Sequence, residues 1–378
     1  MTDDLSNSMS EIVFWMGIVS PHMAGLAQAL AFQGNNVTYV AAQSISVDRA
    51  RQGWVKPDIQ GFRLKLVNSV EDAISLALSF SRETVHLAGG LRGNGYISAI
   101  IKELSLRHAR WGVIMETIDE RFGRAPIKRF IYRQKLCNVS TCPDFVLAIG
   151  SAMPAWVADR GFPKDLIFPF AYFLPPSPAQ SFPSSGNTPD FQIGFIGQFI
   201  HRKRLDLLIN ALSGLSCKSY ELNIVGSGPL EKKLVRMAEK KLGSDRIRLY
   251  GQVQMDEVRR LVALFDCLVL PSDADGWGAV VSEALMAGTS AICSDACGSA
   301  IAIHASGVGG IFPRGELLVL RKLLSKSIDE GRIATEKRQK ISDWAKCLGS
   351  EFGAKYLNSV INSVYGDQVR PLPPWEEV

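Results

Sequence analysis

The sequence predicts two doubly wound α/β domains, each a parallel sheet with helices on both faces, followed by a helical C-terminus. Three observations lead there. Short β-branched and aromatic runs alternate with amphipathic stretches through residues 12–149, the alternation stops in a proline- and serine-rich stretch at 174–189, and it restarts at Phe191. Strands alternating with helices at this spacing pair in parallel and need cover on both faces. A chain of 378 residues also suits two domains, since a domain commonly runs to about 100–200 residues.

In chain order, Ile12–Met16 is a short apolar run, and the next stretch places Met23, Leu26, Ala27 and Leu30 on one helical face. A turn at Gly34-Asn35-Asn36 leads into Val37-Thr38-Tyr39-Val40, a strand by composition. Further strand-like runs fall near 62–67, 84–88, 111–115 and 145–149. The stretch LPPSPAQSFPSSGNTP at 174–189 sustains neither element and reads as a linker. Beyond it, Phe191–Ile196, Tyr220–Val225, Ile247–Tyr250, Cys267–Leu270 and Ala291–Cys293 repeat the strand pattern. From about Glu316 the chain becomes helical, ending in a helix near 351–364 and a proline-rich tail. The expected division is therefore a domain at 1–173, a linker at 174–190, a second domain at 191–348, and a terminal helix and tail at 349–378 that packs back on the first domain. Such a pair of domains holds a ligand in the cleft at the carboxyl ends of its strands.

Composition narrows the partners. The balance of 42 Lys+Arg against 37 Asp+Glu leaves +5, too little for a nucleic-acid-binding face. Seven cysteines without repeated pair spacing suit a reduced, cytoplasmic protein better than a disulfide scaffold. Residues 12–47 carry no Asp, Glu, Lys or Arg, yet Ser20-Pro21-His22 and Gln33-Gly34-Asn35-Asn36 interrupt them. A spanning helix needs about 20 continuous apolar residues, and a signal peptide needs a basic start. The expectation is a soluble chain.

Three segments carry chemistry. In the first, Phe195-Ile196-Gly197-Gln198-Phe199-Ile200-His201-Arg202-Lys203-Arg204, a strand ends at a glycine and consecutive cations open a helix bearing Leu205, Leu208, Ile209 and Leu212. Cations there oppose the helix dipole unless an anion sits among them, and a phosphate or diphosphate is the natural one; a solvated basic turn is the plainer alternative. In the second, Val225-Gly226-Ser227-Gly228-Pro229, two glycines permit close backbone approach or simply make a tight turn. In the third, Asp273-Ala274-Asp275-Gly276-Trp277-Gly278 precedes a helix carrying Glu283. Gly276 and Gly278 let backbone N–H groups near a ligand with Trp277 as a wall, and Asp275 and Glu283 supply acceptors for sugar hydroxyls. The D-x-D pair is also a cation-ligand pattern, but a lone pair is too few ligands, and no metal is expected.

In order and spacing these segments resemble the retaining nucleotide-sugar glycosyltransferases of glycosyltransferase family 4, which have the GT-B fold. The resemblance covers 191–313 well and the first domain in outline. It implies that Asp275 and Glu283 are the two acids of the family's E-x7-E pattern, the first holding the donor sugar with the Gly276-Trp277-Gly278 backbone and the second the ribose. Lys203 matches the diphosphate-binding lysine, and Gly251-Gln252-Val253 the loop whose backbone meets the nucleobase. Cys297-Gly298-Ser299 matches the small-residue turn after the last strand. Departures are visible: Asp275 is one methylene short, Gln198 stands where many members have arginine, which leaves Arg202 to supply the second phosphate charge, and Ser20-Pro21-His22 replaces a double-glycine loop. Glu116 stands where many members carry a histidine, and either orients a substrate or pairs with Arg121 or Arg124.

What the resemblance implies is metal-independent transfer of a hexose-type sugar, without a cofactor, from a nucleotide diphosphate sugar to a saccharide or lipid-linked acceptor in surface polysaccharide or glycolipid synthesis. Lys203 and Arg202 would stabilise the departing diphosphate, and the leaving phosphate oxygen would serve as base, with retention. On the acceptor side, His22 at a helix start and His86 at a strand end are candidates, with a core histidine the alternative for each. Cys293 and Cys297 read as buried thiols. Residues 121–135, with six cations, three aromatics and no acid, suit either an anionic membrane at the inner face of the cell or a solvated helix. A GT-B nucleotide-sugar epimerase and a catalytically silent nucleotide-sugar-binding or scaffold subunit are the other readings. A dehydrogenase lacks its G-x-G-x-x-G, because the first strand runs into Gly17-Ile18-Val19-Ser20-Pro21-His22.

Overall fold

The computed structural model describes residues 10–45, 57–91, 95–118, 125–137, 142–176, 190–215 and 219–377. Among them, two all-parallel sheets face one another. The first takes β1 (Glu11–Ile18), β2 (Asn36–Gln43), β3 (Arg63–Leu66), β4 (Val85–Gly89), β5 (Trp111–Glu116), β6 (Phe145–Ile149) and β7 (Ile167–Phe170) in the order β3-β2-β1-β4-β5-β6-β7. The second takes β8 (Phe191–Ile196), β9 (Tyr220–Val225), β10 (Ile247–Gly251), β11 (Cys267–Leu270), β12 (Ser290–Ser294) and β13 (Gly310–Phe312) in the order β10-β9-β8-β11-β12-β13. β7 and β13, only four and three residues long, are the strands that the alternation did not reveal.

Burial on both faces explains the strand composition. In β1, Ile12, Val13, Phe14 and Trp15 are all fully buried, alternate residues entering different core clusters. The strand therefore reads as a continuous apolar run. The helix α1 (Pro21–Phe32) starts where Ser20 Oγ accepts the Met23 N–H at 3.2 Å and Pro21 takes the first helical position. That local signal places the β1–α1 turn without any glycine pair.

The two domains are tied by more than the linker. Leu174 is buried and exchanges backbone bonds with the far end of the chain: its N–H donates to Leu348 O at 3.0 Å, and Ser350 N–H donates to Leu174 O at 2.8 Å. The start of the expected linker is thus tied down at Leu174, while its residues 177–189 lie outside the described residues. The terminal helix at Ser350–Tyr365 crosses to α1, where Gln33 Nε2 donates to Glu351 O at 3.0 Å and Asn35 Nδ2 to Asn358 Oδ1 at 3.2 Å. One apolar cluster runs through this junction, joining Phe14 of the first sheet to Trp277 of the second domain and Trp375 of the tail. No helix among the described residues is long and apolar enough to cross a membrane.

Candidate active site

In each sheet the strand order reverses at one place, between β1 and β4 and between β8 and β11. Loops leaving the strands on either side of such a point diverge and leave a crevice at their carboxyl ends. Here the two crevices open onto each other and form one cleft of about 900 Å³. Its walls include Ile18 at the end of β1, Gly89 and Gly90 at the end of β4, Gly197 after β8, and Asp275, Gly276 and Gly278 after β11.

On the second-domain side the cation turn and the acidic loop interlock. Lys203 Nζ lies 2.5 Å from Asp275 Oδ2, both side chains about 15% exposed. The neighbouring contacts are Asp273 N–H to Arg202 O at 2.8 Å, an Arg202 guanidinium N–H to Ala274 O at 2.5 Å, and Arg204 to Asp273 at 3.0 Å. Both acids of the D-x-D pattern are therefore paired with cations. Among the described residues no group of three or more His, Cys, Asp or Glu is placed to hold a metal ion. The cations are not in the first turn of the helix, as the spacing suggested. His201–Lys203 form a separate 3₁₀ turn, Arg204 is left-handed at φ 53°, and the helix begins at Leu205. The break turns Lys203 toward Asp275, a local geometry that helical periodicity does not encode.

The glycine loops serve each other as well as the cleft. A Cβ on Gly226 would lie 2.0 Å from Gly197 O, and one on Gly228 2.7 Å from Phe199 N. Both glycines line the cleft with Arg202 and Val253. Gln198, where the resemblance leads one to expect arginine, also lines it.

Two second-domain residues sit differently from their expected places. Trp277 borders the cleft but is 1% exposed: its indole N–H donates to Ser282 Oγ at 2.9 Å and its ring lies 6.2 Å from that of Trp375. It is a core residue that anchors the loop, not a free wall. Glu283 is not among the cleft-lining residues. It lies one turn beyond the lining residue Ala279 on the helix Ala279–Met286, and burial pushes its carboxyl up to about 7 against the pull of Arg259.

On the first-domain side, Glu116 ends β5 and leans across the gap: its Oε2 is 2.7 Å from where a Cβ on Gly276 would lie. Arg121 and Arg124, its alternative partners, lie outside the described residues. His22 lines the cleft and packs 5.4 Å from the Tyr172 ring. His86 does not line the cleft. It sits near the amino end of β4, 1% exposed, its Nδ1 accepting the Trp15 indole N–H at 3.0 Å, and burial lowers its pKa to about 3. The acceptor-side reading of His86 is thereby corrected; the sheet places ligands at the opposite end of that strand. Cys293 and Cys297 are buried, beside the loop.

The sequence reading missed Tyr132 and Tyr172, which both line the cleft. Tyr132 lies in the basic aromatic stretch that suits a membrane surface, so its ring carries no separate sequence signal for the cleft. Tyr172 follows β7, the short strand that was not anticipated.

Comparison with known proteins agrees with this geometry. Residues 177–346 match the family model described as glycosyl transferases group 1. A stretch of 100 residues is 31% identical to an uncharacterized glycosyltransferase of Methanocaldococcus jannaschii, covering 26% of this chain and 27% of that protein. The match thus spans about a quarter of that relative. Among solved structures, the lipopolysaccharide outer core galactosyltransferase WaaB superposes with TM-score 0.66 at 16% identity, over 93% of this chain and 99% of that one. HepE of Anabaena, in complex with UDP and glucose, superposes with TM-score 0.66 at 14% identity, over 94% and 100%. The chain has the GT-B fold, and the segment that matches the glycosyl transferases group 1 model is the one that carries the Lys203–Asp275 pair.

Proposed function

We propose that this chain is a glycosyltransferase of the retaining, family 4 kind. It would move a hexose-type sugar from a nucleotide diphosphate sugar to an oligosaccharide or lipid-linked acceptor in surface polysaccharide or glycolipid synthesis. The observation that carries the reading is the Lys203–Asp275 pair in a two-domain cleft. Departure of the nucleoside diphosphate builds negative charge on its β-phosphate, and Lys203 and Arg202 stabilise it in place of a metal. Asp275 and the Gly276 to Gly278 backbone hold the donor sugar. The acceptor hydroxyl enters from the first domain past His22 and attacks on the face the diphosphate leaves, whose oxygen takes the proton. Glu116 orients the acceptor or the sugar across the gap. That HepE holds UDP and glucose on the same fold supports this class of donor.

The acceptor would be met at an anionic membrane face by a cytoplasmic, peripherally bound protein. The helix Ala125–Cys137 supports this: Ile127 and Phe130 are 60% and 64% exposed, among Lys128, Arg129, Arg133 and Lys135. Basic and apolar side chains together suit such a surface.

The deciding experiment is a thermal-shift screen of nucleoside diphosphates and their sugars on the wild type and Lys203→Ala, followed by a transfer assay with any donor that binds. At a ligand concentration about 100 times the dissociation constant the gain is about 2.7 kcal/mol. A shift that weakens in Lys203→Ala, with turnover, supports the transferase. Binding without turnover or hydrolysis favours the silent subunit, and no shift with any nucleotide overturns the donor site.

A further inference from the structure

The tail beyond the terminal helix is not an unattached end. Arg370 donates to the carbonyls of Lys164, Asp165 and Ile167 and lies over the Phe168 ring at 4.6 Å, which pins the tail to the edge of the first domain. Five residues later Trp375, 3% exposed, sits between Phe173 at 6.4 Å and Trp277 at 6.2 Å between ring centroids. The row continues through Phe173 to Phe170 at 5.1 Å and on to Tyr356 at 6.1 Å. A chain of aromatic rings thus runs from the last strand of the first sheet and the terminal helix to the loop between β11 and the helix at Ala279.

That loop needs outside support. Gly276 and Gly278 flank Trp277, and Gly278 is left-handed at φ 88°. Glycine costs more backbone entropy to order than any other residue. From one side the loop is bonded to the turn after β12, through Asp275 N–H to Ala296 O, Gly298 N–H to Asp275 O and Ser299 N–H to Trp277 O. The side chain between the two glycines is held by Ser282 and by the face of Trp375. We infer that Trp375 is a positioning residue: the C-terminal tail braces Trp277 from the first domain and so sets the Asp275–Gly278 backbone that meets the sugar of the donor. The brace stands on the packing, and its consequence for the sugar rests on the function proposed above.

The test separates these two. Hydrogen exchange is followed through residues 275–280 of the full chain, without ligand, in the wild type, Trp375→Phe and Trp375→Ala. Trp375→Ala should speed exchange in that loop about tenfold or more while β8 and β9 keep their protection, and Trp375→Phe should restore most of it. If Trp375→Ala does not fold, Trp375→Leu and Arg370→Ala, which releases the far anchor, carry the measurement. Unchanged loop exchange, or a rise spread evenly over the whole second domain, overturns the brace whether or not a nucleotide binds. With a donor in hand, Trp375→Ala should weaken binding of the nucleotide sugar about tenfold and leave the nucleoside diphosphate alone within about twofold. Equal loss of both would overturn the link to the sugar.

Discussion

Lys203 and Asp275, 72 positions apart in the chain, meet at 2.5 Å on the wall of the interdomain cleft. The lysine proposed to meet a diphosphate is thus held by a neighbouring carboxylate, in a site where both side chains are largely shielded. The pairing avoids leaving an uncompensated charge in a poorly solvated place. It also makes an incoming anion compete with Asp275 for the same ammonium.

Opposite effects should follow from the two partners. Lys203→Ala should weaken nucleoside diphosphate binding by roughly 10- to 100-fold, the loss of a charge-assisted bond of about 1.5–3 kcal/mol. Asp275→Asn should tighten the nucleoside diphosphate by about 2- to 10-fold, since it frees the lysine, while transfer falls. Calorimetric titration of both variants checks this, and weaker binding in Asp275→Asn would show that the acid is not a competitor.

Glu283 should make stability depend on pH. Its carboxyl is raised from 4.5 to about 7 by burial, so the folded chain holds the proton more tightly than the unfolded one. Ionisation then costs stability as pH rises from about 4.5 to 7, and the whole cost is present above pH 7. Glu283→Gln should be more stable than the wild type at pH 8, by up to about 3 kcal/mol, with the advantage gone near pH 4. A difference that does not change with pH would remove Glu283 as its source.

Gly298 should resist even a methyl group. A Cβ there would lie 2.0 Å from Gly276 O and 2.8 Å from Gly150 Cα, where the turn after β12, the acidic loop and the end of β6 meet. Ser151 N–H also donates to Gly298 O at 3.0 Å across this junction. Gly298→Ala should lower stability by about 1–3 kcal/mol through overpacking and reduce transfer by loosening the domain contact. A melting curve that matches the wild type would mean the junction yields without cost.

Membrane contact, if it occurs through the helix Ala125–Cys137, should depend on its cations. Exchanging Lys128 and Arg133 for glutamine should weaken binding to vesicles containing phosphatidylglycerol by about 30-fold, at about 1 kcal/mol per cation. Phe130→Ser should weaken it further. Co-sedimentation that is equal for the variants and the wild type would return this helix to the role of a solvated face.

The two parallel sheets and most of their strands are legible in the residues alone, because burial on both faces leaves a continuous apolar signature such as Ile12–Trp15. So are the three glycine and acid segments, since close backbone approach restricts residue type locally. β7 and β13 stayed hidden: Pro169 breaks the four-residue run Ile167–Phe170, and Gly310–Phe312 is only three residues long. How the site is assembled is a matter of docking between distant elements. The left-handed Arg204 turns Lys203 to Asp275, the strand direction carries His86 away from the cleft, and helix packing keeps Glu283 off the cleft wall. Trp375 reaches Trp277 over nearly a hundred residues of chain. Such contacts depend on where distant elements dock, and neither periodicity nor spacing along the chain carries that information.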